Sequence, residues 1–148
     1  MIHIYGDMIR FTFFFLLILL CGCEKYYLSV KREMINRNTL ASTFVGSPDP
    51  RQKNPPRGQE LMIEWRLPEE ALSQKPVLVL KILYKNLQEE ILNYPVTRKR
   101  GWVTHSVLGE AFEKTEGFLT YKGEIVGKDQ KVIKEWKHQL WTNLIVID

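Results

Sequence analysis

The pattern of apolar and polar positions predicts β-strands through most of the chain. Leu61, Ile63 and Trp65 alternate with neighbours that are charged except for Met62, which is the period of a half-buried strand over residues 59–67. In residues 76–85 one face is apolar throughout, and the other becomes polar only at its lysines. A segment with so little polar surface is typical of a central strand.

Further segments are short, rich in β-branched and aromatic residues, and separated by turn residues, so each predicts a strand. They cover residues 89–96, 102–108, 118–126 and 131–138. The last of them has an alternative, because Ile133, Trp136 and Leu140 also fall at the spacing of an amphipathic helix. Strands are favoured, because a hairpin turn at residues 127–130 precedes this segment and a β-branched tail at residues 144–147 predicts a final strand.

The region before residue 59 carries weaker signals. Residues 23–38 predict a tether, with a short peripheral strand at residues 26–30 as the alternative. Residues 39–45 alternate and contain β-branched residues, which predicts an edge strand. The charged connectors at residues 69–74 and 110–117 each predict a single helical turn.

Short strands at regular intervals, without a long helical pattern, predict an all-β fold. We expect an immunoglobulin-like β-sandwich of about seven strands. The chain lacks the Cys–Trp–Cys core of true immunoglobulin domains, so membership of that family does not follow.

Residues 46–58 form a proline-rich basic segment. Proline fixes the backbone angle φ and removes a hydrogen-bond donor, which excludes a helix or an inner strand here. The segment predicts either a rigid arm that a partner binds or a stiff crossover loop between two sheets, and the crossover loop is favoured. In the arm interpretation the candidate partner contacts are Pro48, Pro50, Arg51, Pro55, Pro56 and Arg57.

The N-terminal region contains an apolar run of a different kind. Arg10 precedes an apolar stretch, interrupted only by Thr12, that ends at Cys21-Gly22-Cys23, the pattern of a secretory signal. As a helix, residues 11–22 would reach only about 18 Å, which is short for a bilayer core of about 30 Å. The segment also fits an ordinary cleaved signal, an uncleaved anchor or a buried core helix.

The residues Leu20-Cys21-Gly22-Cys23 resemble the lipobox of bacterial lipoproteins. The resemblance implies a signal peptide over residues 1–22, cleavage between Gly22 and Cys23, and acylation of Cys23, with palmitate among the acyl chains. The lipid bilayer is then the first partner. Asp7 is unusual in the basic start of a signal, so translation starting at Met8 fits the resemblance better.

The resemblance also implies a location. Glu24 rather than aspartate follows the cysteine, which favours the periplasmic face of the outer membrane, with the inner membrane or the cell surface as alternatives. Residues 23–38 are then the lipidated N-terminus and tether, and residues 39–148 the β-sandwich domain. The formal net charge of +4 is too small to indicate a partner, and an envelope location excludes nucleic acid. With Cys21 removed and Cys23 acylated, no cysteine remains for a disulfide.

The sequence offers little catalytic chemistry. His105 and His138 are far apart, and motifs such as HExxH, CxxC and GxSxG are missing from the sequence, so no metal or cofactor is predicted. His105 and Ser106 are adjacent and would point to opposite faces of a strand, which excludes a dyad. The remaining candidates are Glu69-Glu70, Glu89-Glu90, Trp65, Trp102, Trp136 and Trp141.

These observations lead to two hypotheses. The first is a membrane-anchored, non-enzymatic envelope lipoprotein that acts as a structural or protein-binding module and has an envelope protein as partner. The second is an envelope carbohydrate-binding or hydrolase domain that uses exposed tryptophans and paired glutamates.

Overall fold

The computed structural model describes residues 26–141, with the side chain of Ala41 excepted, and has an all-β fold. Seven strands form two antiparallel sheets that pack face to face. The predicted all-β sandwich of about seven strands is therefore confirmed.

The first sheet has three strands in the order β1-β2-β5. They are β1 (Tyr27–Ile35), β2 (Gly58–Arg66) and β5 (Arg100–Leu108). All three strands are paired without a register shift over their full length. The N-terminus of the described chain therefore leads directly into an edge strand.

The second sheet has four strands in the order β4-β3-β6-β7. They are β3 (Val77–Tyr84), β4 (Glu89–Pro95), β6 (Phe118–Val126) and β7 (Val132–Lys137). The central position predicted for residues 76–85 is confirmed, because β3 pairs with β4 on one side and with β6 on the other.

Short helical segments connect the strands. They are α1 (Ala41–Val45), α2 (Glu69–Ser73) and α3 (Gly109–Thr115), with single 3-10 turns at Arg37–Thr39 and Pro50–Gln52. The helical turns predicted over residues 69–74 and 110–117 are confirmed as α2 and α3. None of the helices between residues 26 and 141 has the length and hydropathy of a membrane span.

The core lies between the inner faces of the two sheets. It is built from the apolar positions that the alternation predicted, because every second side chain of a strand points to the same face. Its fully buried members with less than 2% exposure include Leu61, Ile63, Leu78, Leu80, Phe118 and Ile125. Truncating one of these to alanine is expected to cost about 2–5 kcal/mol of folding free energy.

The sandwich has two distinct ends. The N-terminal end, where β1 begins, also holds the loops at residues 67–76, 96–99 and 127–131. Two backbone hydrogen bonds join these loops, from the Leu67 amide to the Lys99 carbonyl at 2.7 Å and from the Val96 amide to the Pro76 carbonyl at 3.0 Å. The far end, where β1 finishes at Ile35, holds the connector at residues 36–57.

The predicted tether at residues 23–38 is wrong for most of its length. Tyr27–Ile35 is strand β1, which pairs with β2 residue for residue. Leu28 and Val30 are buried in the core, whereas the second half of the strand is solvated. The sandwich domain therefore begins at Tyr27 and not at residue 39.

The strand predicted over residues 39–45 is also wrong. Asn36 accepts a hydrogen bond from the Asn38 amide, and its own amide donates to the Thr39 side chain at 2.9 Å, so a helical turn begins here. Helix α1 follows and ends at Gly46, whose φ of +63° provides the left-handed C-cap. Capping by these residues outweighs the β-branched content of the segment.

The proline-rich segment connects neighbouring strands of one sheet. Residues 36–57 run from β1 to β2, which are antiparallel partners. The favoured interpretation, a crossover between two sheets, is therefore wrong, although the segment is a loop without strand structure as predicted.

The strand predicted over residues 131–138 is confirmed as β7. A register shift between Ile125 and Val126 places an extra residue in β7, so Ile133 and Trp136 both pack against the core. A bulge of this kind explains why their spacing of three also suited a helix. The final strand predicted over residues 144–147 lies outside the described residues.

Gly101 is required by the packing of Trp65. The two residues are register partners on β2 and β5, and the Trp65 ring covers the glycine. A Cβ atom at position 101 would overlap Cζ2 of that ring and lie 2.9 Å from its Cε2 atom.

We predict that Gly101→Ala destabilises the fold by about 1–3 kcal/mol, because the indole has to move. Gly123→Ala is the matched control, because a Cβ there would meet only ordinary contacts, the closest of them to Val30 Cγ2 at 3.4 Å. Urea denaturation followed by far-UV circular dichroism measures both variants. Equal midpoints for the two variants would contradict this account of Gly101.

Candidate functional site

A polar cluster bridges the two sheets where β4 and β5 come together. The Tyr84 hydroxyl of β3 donates a short hydrogen bond to Glu90 Oε2 of β4. His105 Nε2 of β5 lies 3.2 Å from the same hydroxyl and 3.6 Å from Glu90 Oε2. Because Tyr84 gives its only proton to Glu90, the hydrogen bond to His105 requires a proton on Nε2.

The surroundings of this cluster control its ionisation. Burial raises the pKa of Tyr84, and the hydrogen bond to Glu90 raises it further. Burial lowers the pKa of His105, and the nearby carboxylate of Glu90 opposes this only in part. Phe118 packs against both residues, with ring centroids 5.7 Å from Tyr84 and 6.0 Å from His105. At neutral pH the cluster therefore holds a neutral imidazole and a neutral phenol.

The cluster was not predicted, because the sequence separates its members. In the sequence Glu90 stands next to Glu89, and His105 is related only to Ser106 and the distant His138. The opposite orientation predicted for His105 and Ser106 is confirmed, since the Ser106 hydroxyl bonds to Glu60 on the outer face. The observed contacts fit a link between the sheets better than a nucleophile activated by a base.

The outer face of the three-stranded sheet carries an aromatic–basic patch at the N-terminal end. We define this patch by Tyr27, Arg66, Arg98, Arg100 and Trp102. Tyr27, Arg66 and Arg100 are partners in one row across the sheet, so their side chains share the outer face. Trp102 lies two residues beyond Arg100 on β5, on the same face, and is 68% exposed.

The turn beside this patch is tied to the sheet from the inner side. Trp65 Nε1 donates to the Arg98 carbonyl at 3.1 Å, and Lys99 forms an ion pair with Glu69 of α2. The basic stretch at residues 97–101 is thus partly strand, because β5 already begins at Arg100. The backbone of Arg98 is thus held against Trp65, and Arg100 lies opposite Arg66 in the strand register.

The connector at residues 36–57 brings the predicted partner-contact residues to the far end. Pro48, Pro50, Arg51, Pro55, Pro56 and Arg57 all lie in this one segment. Arg51 is bound to Asp49 at 2.9 Å, and this side-chain hydrogen bond lowers the pKa of Asp49 to about 2. The Gly109 amide donates to the Arg57 carbonyl at 2.9 Å, which fixes the connector to α3.

The connector also exposes apolar side chains that the sequence did not single out. Phe44 and Val45 of α1 are 79% and 74% exposed. These two adjacent side chains place apolar surface in solvent beside the proline-rich segment.

A second apolar surface lies on the outer face of the four-stranded sheet. A groove of about 500 Å³ has Leu83, Ile91, Leu119, Leu140 and Trp141 among its lining residues. Beyond the groove the same face is charged, and Glu124 binds both Lys81 at 2.8 Å and Lys122 at 2.7 Å. The groove therefore ends at this charged row of the sheet.

The tryptophans do not form a single strip. Trp65 is buried, Trp136 stacks on Tyr121 with centroids 5.6 Å apart, and Trp102 is exposed on the other sheet. Trp141 lines the groove. The arrangement required for a row of sugar-binding rings is therefore not formed by these four residues.

The paired glutamates are separated as well. Glu69 and Glu70 lie on α2 at the surface, whereas Glu89 and Glu90 belong to β4, with Glu90 bound to Tyr84. Within residues 26–141 no three histidine, cysteine or acidic side chains are grouped so as to hold a metal ion. Gly22 and Cys23, the predicted cleavage and lipid-attachment residues, lie outside the described residues.

Comparisons of the chain with protein-family models, with curated proteins and with solved structures gave no match.

The polar cluster gives a pH dependence with a definite sign. A histidine whose pKa is lowered by folding binds its proton more tightly in the unfolded chain. Stability is therefore expected to fall as the pH drops below about 6.5, the ordinary pKa of histidine. His105→Gln should reduce the loss of unfolding free energy between pH 7.5 and 5.5 by up to about 1 kcal/mol.

The measurement is urea denaturation of both proteins at the two pH values. The other ionisable side chains are common to both proteins, so the difference between the two proteins isolates His105. His138→Gln is the matched control. An equal loss in wild type and His105→Gln would show that His105 does not cause the dependence.

Proposed function

We propose that the protein is a bacterial envelope lipoprotein, anchored through acyl chains on Cys23, that acts as a non-enzymatic binding module. The observation that carries the proposal is the position of the lipobox-like residues relative to the fold. Cys23 precedes the first strand by four residues, since β1 begins at Tyr27. Cleavage before Cys23 would therefore remove the apolar segment and leave every described strand in place.

The core supports a removable signal. Residues from Leu28 onward fill the space between the sheets with their own side chains. A domain of this size buries enough apolar surface to fold without disulfides. Two or more acyl chains on one cysteine give stable membrane anchoring, whereas one chain gives only marginal binding.

Binding is favoured over catalysis by where the polar and apolar groups lie. The Tyr84–Glu90–His105 cluster is fully engaged in linking the sheets, while apolar side chains face solvent at the far end. Phe44, Val45 and the proline-rich connector form a candidate surface for an envelope protein. The proposed location remains the periplasmic face of the outer membrane, which rests on Glu24 after the cysteine.

The anchor is tested by substitution of the cysteines. We predict that Cys23→Ala abolishes the incorporation of labelled palmitate and moves the protein from the membrane to the soluble fraction or stops its processing. Cys21→Ala is the matched control, because it removes a neighbouring thiol while keeping the lipobox, and its labelling is expected to be unchanged. Labelling that persists in Cys23→Ala would refute the anchor.

The partner surface is tested by photocrosslinking in intact cells. A photoreactive residue at position 44 is expected to give a protein adduct of discrete mass, because Phe44 is exposed beside the connector. The same residue at position 97, at the opposite end, should not give that adduct. A surface without a partner would yield no discrete adduct from position 44.

A further inference from the structure

The distance between the proposed anchor and the fold is short enough to orient the domain. Three residues lie between Cys23 and Tyr27, and the four extended steps from one to the other span at most about 14 Å. The polar headgroup region is itself about 5–8 Å thick on each side of a bilayer. The N-terminal end of the sandwich must therefore lie against or close to the headgroups.

The residues at this end have the composition of a membrane-contact surface. Tyr27 is 41% exposed and Trp102 is 68% exposed, and tyrosine and tryptophan are the residues enriched where a protein meets the headgroups. They stand beside Arg66, Arg98 and Arg100, which are all exposed. Within residues 26–141 no carboxylate pairs with these three guanidinium groups.

The excess of positive charge extends across the whole N-terminal end. The loops that meet there add Lys75, Lys128 and Lys131, all exposed. The acidic residues at this end are fewer, namely Glu64, Glu69, Glu70 and Asp129, and Glu69 is bound to Lys99. The charge of this end is thus opposite to that of anionic phospholipids, which attract basic groups within about 8 Å at physiological salt.

We propose that the aromatic–basic patch rests on the anionic phospholipid headgroups of the bilayer that holds Cys23. This inference depends on the proposed lipid anchor and adds the orientation of the domain to it. The far end, with Phe44 and the connector, then points away from the membrane. The nine residues of β1 separate the two ends by about 26 Å at roughly 3.3 Å per residue.

The test uses the full-length, lipidated protein in vesicles of phosphatidylethanolamine and phosphatidylglycerol that contain brominated lipid. Bromine quenches a tryptophan only at close range, so Trp102 should be quenched. Trp102→Phe is expected to lower the quenched fraction at least about twofold. Trp136→Phe is the control, because that indole stacks on Tyr121.

Charge is tested with Arg66→Glu/Arg100→Glu. This variant is expected to lose most of the Trp102 quenching, as is the wild type in 0.5 M NaCl. Arg37→Glu/Arg57→Glu makes the same change of charge at the far end and should leave the quenching intact. Circular dichroism checks that all the variants are folded. If the double variant does not fold, Trp102→Phe, a conservative change at an exposed position, tests the membrane contact in its place.

The outcomes separate the inference from the proposed function. Lipidated protein that floats with the vesicles while Trp102→Phe leaves the quenched fraction unchanged would overturn the orientation and keep the anchor. Protein that carries no lipid by mass spectrometry and does not float would overturn both. A photoreactive residue at position 102 that captures a protein in place of lipid would also overturn the inference, because the patch would then be a protein interface.

Discussion

The pairing of β1 with β2 is the constraint on which the rest of the account depends. It begins at Tyr27, which is opposite Arg66, and so it fixes where the chain that leads back to Cys23 meets the sandwich. Because antiparallel partners share a face, the same pairing sets Tyr27 beside the arginines of β2 and β5. A strand that began ten residues later would leave a flexible tether, and the anchor would then impose no orientation.

The two ends of the sandwich differ in the chemistry that they present. The N-terminal end combines exposed aromatic rings with arginines that pair with no carboxylate in the described part of the chain, whereas the far end exposes Phe44 and Val45 beside a proline-rich connector. Between them the core and the Tyr84–Glu90–His105 cluster hold the sheets together. Because the two sheets pack as one body, the orientation of one end fixes the orientation of the other. This suits the proposed module, which contacts a membrane at one end and a partner at the opposite end.

Much of the fold was predictable from the sequence, because alternation reports directly on burial. It located β2 to β7, where one face of each strand packs on the core. For β1 it gave only a short strand at residues 26–30 as the alternative to a tether, since only Leu28 and Val30 are buried there. It failed for α1, where capping at Asn36 and Gly46 decided the structure. The aromatic–basic patch was not predictable, because Arg66 and Arg100 meet only through cross-strand register. That register depends on distant pairings, which local patterns do not contain.

The central claim is that the short link from Cys23 sets the basic end of the sandwich on the bilayer. Depth measurement by electron paramagnetic resonance tests it most directly, with single spin labels on Thr97→Cys and, separately, Phe44→Cys. The mature chain is expected to offer no other free thiol, so each label is unique. The account predicts a label at position 97 within about 10 Å of the lipid phosphates and a label at position 44 at least about 20 Å out in water, from the length of β1. Equal depths at the two positions, or the reverse order, would contradict it.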